Sequence, residues 1–105
     1  RDEGSASLDA LIEEARADAL DEHEQRVGFL TMIEEHLGVP FETEVLGLGV
    51  RVLRVEPGAD GGIVLVCERG SHRLRVPILD LPLPAPPPAG AEWIEAYRRW
   101  TRGMV

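Results

Sequence analysis

The chain has 105 residues, 44% of them hydrophobic and 29% charged, which is enough for one small globular core. Its 19 acids outnumber 11 basic residues, all of them Arg, for a formal net charge of −8; that sign lacks the basic footprint of a phosphate-backbone binder and favours cations or basic partners. No stretch approaches the roughly 18 consecutive apolar residues of a membrane span, and the lone Cys67 excludes an internal disulfide, which fits a cytoplasmic setting.

The opening residues, Arg1-Asp2-Glu3-Gly4-Ser5, are polar and acidic and carry no signal-peptide core. With no Met at the first position, further chain is expected upstream. From Ser7 to Leu20 the apolar residues Leu8, Leu11, Ile12, Ala15 and Ala19 follow helical spacing, with Ser7 placed to cap the start. A second helix is expected from Asp21, where Glu24 three residues on approximates a capping box. Val27, Leu30, Ile33 and Leu37 form its expected buried stripe, with Phe29 and Met32 beside it, and Gly38 and Pro40 end it.

The period then changes. Residues 41–46 and 50–55 read as strands joined through Gly47-Leu48-Gly49, and a Gly-rich turn leads to a third strand over 63–68. In the fourth, Leu74, Val76 and Ile78 alternate with Arg73 and Arg75, as a half-buried strand should. Four short antiparallel strands with exposed edges predict closure into a small SH3-like barrel over 41–81. Pro-rich residues 82–90 predict a stiff extended arm, and a final helix over 91–102 carries Trp93, Tyr97 and Trp100 on one stripe. That stripe should dock on the body and bring Arg98, Arg99 and Arg102 near the acidic half. The expectation is a single α+β domain over 1–105, its helical part at 7–37.

Charge is polarised along the chain. Residues 1–44 hold 13 acids against three Arg, net −10, whereas residues 45–105 hold six acids against eight Arg, net +2. The densest carboxylate run is Asp18, Asp21, Glu22 and Glu24. Calcium takes six to eight hard oxygens, and carboxylates at a helix junction can converge on one ion. The spacing is not that of an EF-hand, and acids in a first helical turn also serve as caps and complement the helix dipole. Glu34 and Glu35 point about 100° apart on a helix, while Glu42 and Glu44 share one face of a strand.

His23, His36, His72 and Cys67 lack zinc-site spacing, and Cys67 among Ile63, Val64, Leu65 and Val66 reads as a small core residue. No Ser or Cys nucleophile has an evident base, so the sequence does not suggest an enzyme.

Asp18-Ala19-Leu20-Asp21-Glu22, Gly28-Phe29-Leu30, residues 34–42 (Glu34-Glu35-His36-Leu37-Gly38-Val39-Pro40-Phe41-Glu42), Val45-Leu46-Gly47 and Val76-Pro77-Ile78-Leu79-Asp80-Leu81 together resemble the cyanobacterial-type, non-EF-hand calcium-binding protein family. The resemblance covers about residues 18–81. Leu20 departs from it where an aromatic residue is expected, and the Pro-rich arm with its last helix matches only a bacterial subgroup. It implies a small acidic protein holding Ca2+ through surface carboxylates. The expected function is therefore calcium buffering or sensing through Asp18, Asp21, Glu22 and Glu24, with Asp80 brought alongside. The alternative is an SH3-like interaction module whose acidic face meets a basic protein, with neither nucleic acid nor membrane as partner. Nothing in the sequence sets an oligomeric state.

Overall fold

Helical spacing in the first and last thirds and strand alternation between them produce an α+β architecture. The computed structural model describes residues 2–103, with side chains from residue 8 onward. The order is α1 (Asp2–Arg16), α2 (Glu22–His36), β1 (Phe41–Val45), β2 (Leu48–Pro57), β3 (Ile63–Arg69), β4 (His72–Pro77), a 3-10 turn at Ile78–Asp80, and α3 (Ala91–Gly103). The first helix begins at Asp2, so Ser7 lies inside it and is not its cap. Asp21 does cap the second: its carboxylate accepts from the Glu24 N–H at 2.8 Å, satisfying one of the donors a helix start leaves unpaired.

The buried stripe of α2 differs from the expected one. Phe29, Ile33 and Leu37 are buried, while Val27 is 46% exposed and Leu30 is half-buried. Gly28 accounts for the rotation. It lies against the Ala15 backbone of α1, where a Cβ would run into the Ala15 carbonyl oxygen, so that side of α2 is taken by a close helix approach.

The sheet is a meander in the order β1-β2-β3-β4, antiparallel throughout. It does not close, so the expected SH3-like barrel is not formed. Strand β1 pairs only with β2 and β4 only with β3. The physical reason lies in the helices: Phe29, Ile33, Trp93, Ile94 and Tyr97 share one core cluster with Val52, Leu65 and Cys67, so large side chains occupy the space that closure would need. The β1–β2 turn is also tighter than expected. It consists of Leu46 and Gly47 alone, both at positive φ (53° and 79°), as a type I′ turn requires, and Leu48 already belongs to β2.

The last helix docks as expected. Trp93, Tyr97 and Trp100 are buried, with Phe29 edge-on to Tyr97 at 5.4 Å and tilted against Trp100 at 5.1 Å. Trp100 Nε1 donates to Gln25 Oε1 at 3.1 Å, and the Arg26 guanidinium lies 5.3 Å from the Trp100 ring centroid. The Pro-rich segment carries this helix back. Thr43 Oγ1 donates to the Pro82 carbonyl at 2.7 Å, and the Gly38 N–H donates to the Ala89 carbonyl at 2.8 Å. Gly90, at φ 82°, then passes so close to the His36 carbonyl that a Cβ could not be accommodated.

Candidate functional site

The acids at the α1–α2 junction are held by local backbone chemistry. Asp18 follows the end of α1 at φ 65°, a left-handed conformation that Asp tolerates better than most residues. Asp21 caps α2 through the Glu24 N–H, and Glu24 reaches back to accept from the Leu20 N–H at 2.6 Å. This is a capping box whose return bond lands one residue before the cap. Glu22 pairs along the helix with Arg26 at 2.9 Å. Leu20, within this junction, is 88% exposed.

Of the five expected calcium ligands, the junction thus holds Asp21 and Glu24 in one cap, the first accepting from the Glu24 N–H and the second from the Leu20 N–H. Asp80 ends the 3-10 turn beyond β4 and is exposed. Among the described residues no three His, Cys, Asp or Glu side chains form a group that could hold a metal ion. The acids further on are also exposed: Glu34 and Glu35 near the end of α2, and Glu42 and Glu44 on one face of β1.

A larger pattern emerges from the ion pairs. Of the nine acids outside residues 18–44 whose side chains are described, five find guanidinium partners: Asp9 with Arg99 at 2.8 Å, Glu13 with Arg16, Glu56 with both Arg54 and Arg75, Glu68 with Arg73, and Glu95 with Arg98; Glu14, Asp60, Asp80 and Glu92 have none among the described residues. Hydrogen bonds from Arg54 and then Arg75 hold the Glu56 carboxyl below the usual carboxylate range. Within 18–44 eight acids are exposed, and only Glu22 has an ion-pair partner among the described residues. Of the three C-terminal arginines expected to meet the acidic half, Arg99 reaches Asp9, whereas Arg98 turns to the Leu81 carbonyl at 2.6 Å.

Spacing alone did not disclose the guanidinium face of the sheet. The register shift between Val52 and Arg54 inserts a bulge in β2, which places Arg51 and Arg54, three residues apart, on the same exposed face. Arg73 and Arg75 of β4 lie across β3 from them, in the rows Arg51↔Glu68↔Arg73 and Arg54↔Val66↔Arg75. Their own alternation was the signal, though it did not reveal which strands would adjoin.

The remaining candidates are structural. Cys67 is buried on β3, and burial raises its thiol pKa, as befits a small core residue. His36 is exposed on its residue average and stacks its ring on Trp93 at 5.4 Å and 16° between planes; His23 and His72 are exposed. No helix among the described residues is long and apolar enough to cross a membrane. No family model matches the chain, and neither does any curated protein or solved structure.

Proposed function

We propose that this protein is a non-catalytic binding domain whose acidic surface, built from residues 18–44, engages a basic partner protein. One observation carries this reading: seven of the eight exposed acids in that stretch have no ion-pair partner among the described residues, although the chain holds 11 Arg. Acids distributed over a helix start, a helix end and a strand suit a partner with several spaced cations. They suit a single ion less well, since that needs six or more oxygens at one point. A cytoplasmic setting accords with the single, buried Cys67.

The test is calorimetric titration of an arginine-rich peptide, compared between E34Q/E35Q/E42Q and a control, E13Q/E14Q/E92Q, that removes equal charge elsewhere. The first should weaken binding several-fold more than the second. Equal losses would leave only non-specific attraction to net charge.

Calcium binding, as buffer or sensor, is the second reading. Its support is that Asp18, Asp21, Glu22 and Glu24 each keep at least one carboxylate oxygen without a hydrogen-bond partner among the described residues. On this reading these four, with Asp80, supply ligands to Ca2+. Titration of metal-free protein with calcium and magnesium tests it. A ligand bound only by the folded state raises Tm, so millimolar calcium should raise it beyond a monovalent salt of equal ionic strength. Equal shifts would remove calcium.

A further inference from the structure

We infer that the free edge of β4 is a docking site for an extended acidic segment of a partner protein, which joins the sheet as a fifth strand. Because the sheet stays open, β4 has a hydrogen-bonded neighbour on one side only. Residues 72–75 are exposed on both faces of the strand, so no element among the described residues covers it. This surface is separate from the acidic residues 18–44 and does not depend on what they bind.

The ladder sets which backbone groups the edge offers. Arg69 and His72 close a two-residue turn, and such a closing pair exchanges hydrogen bonds. Antiparallel pairs alternate, so Cys67↔Leu74 and Leu65↔Val76 are the next bonded pairs, and Pro77, which has no N–H, falls at an unbonded one. The N–H and C=O groups of Arg73 and Arg75 therefore face outward, away from β3.

Charge then selects the occupant. Across the sheet one row reads Glu42↔Arg51↔Glu68↔Arg73, acid and base in alternation, and it stops at Arg73. Opposite charges on directly opposed residues stabilise a strand pair and like charges oppose it, so the next place in the row suits an acid. A second copy of β4 laid antiparallel on this edge would set Arg73 against Arg75. The arginines thus discourage self-pairing, a common protection of edge strands, while leaving the edge open to a strand of opposite sign. On the helix-side face Leu74 is 38% exposed, so an apolar residue between the partner's two acids would cover it. The occupant is an acid–apolar–acid segment in extended form, a known mode of strand addition.

The test uses the full chain and a dye-labelled, end-capped eight-residue peptide with Glu alternating with Val and Thr, followed by fluorescence anisotropy. Saturable binding is expected. R73E/R75E should weaken it about tenfold or more and transfer the preference to the same peptide with Arg in place of Glu. R73Q/R75Q, checked for folding by circular dichroism, should weaken binding to both. N-methylation of alternate peptide residues on the bonding edge should abolish binding. An N-methylated peptide that binds as well as its parent would mean charge adhesion without a strand and overturn the inference, as would no saturable binding or equal affinity for R73E/R75E. Sedimentation of the protein alone should show no self-association; association that R73E/R75E abolishes would assign the edge to a second copy and reject the acidic partner.

Discussion

Trp100→Ala tests whether the last helix is part of the core. Trp100 is 7% exposed and sits against Phe29 and Tyr97, with its indole N–H on Gln25 and Arg26 over its ring. An aromatic side chain of this size removes about 200 Å² from water, which at about 25 cal/mol/Å² is about 5 kcal/mol, an upper value because a real unfolded chain is already partly collapsed. Buried aromatic truncations cost about 3–5 kcal/mol, against a total of about 5–15 kcal/mol for a small domain. The expected fall in Tm is about 15–30 °C, at several degrees per kcal/mol. Trp100→Phe keeps the ring but loses the Gln25 hydrogen bond and much of the attraction for Arg26, so about 1–2 kcal/mol is expected. Thermal and urea unfolding followed at 222 nm measures both. A Trp100→Ala protein that melts within a few degrees of the parent would refute the docked helix and make α3 an independent appendage.

Gly28→Ala should destabilise, by about 1–3 kcal/mol, although the same change in an open helix gains about 1 kcal/mol; the new Cβ would meet the Ala15 carbonyl, and urea midpoints decide the sign. Asp21→Asn should leave stability nearly unchanged and Asp21→Ala should cost about 1 kcal/mol, because Asn caps a helix as well as Asp does; equal losses in thermal melts would deny the cap. The Cys67 thiol should resist modification by a soluble disulfide reagent in the native protein and react at once in denaturant. Because burial raises its pKa, the folded thiol keeps its proton where the unfolded one ionises. The associated stability is present below the unfolded pKa, about 8.5, and is lost as pH rises above it. Cys67→Ala should flatten that alkaline slope in urea titrations.

The elements legible in the sequence were those whose signal is local. The Asp21 cap, the four strands and the Trp93–Tyr97–Trp100 stripe each follow from residues within a few positions of one another. What was not legible depended on a neighbour distant in sequence. The face of α2 that turns inward is set by Gly28 meeting Ala15, and no periodicity within α2 contains Ala15. That the sheet stays open reflects aromatic residues of other elements that share its core. Likewise, spacing groups the acids at 18, 21, 22 and 24 but does not show that the Leu20 and Glu24 amides hold two of them in a cap. Counting carboxylates does not register competition from backbone donors.

The bond between Gly38 and Ala89 acts as a neck: the whole sheet lies between its two ends, and the helices lie outside it. Below the neck, β1–β2 and β3–β4 are joined by two-residue turns and need only neighbouring residues to form. Above it, Asp9 must find Arg99 across 90 positions, so the helical layer cannot close by local encounters. Chain closure over long separations slows folding more than it weakens the product. The hairpins are therefore the natural early structures, and the α1–α3 contact forms only when α3 has returned. Substitutions in the β1–β2 turn should change the folding rate, and those at the α1–α3 contact should mainly change the unfolding rate.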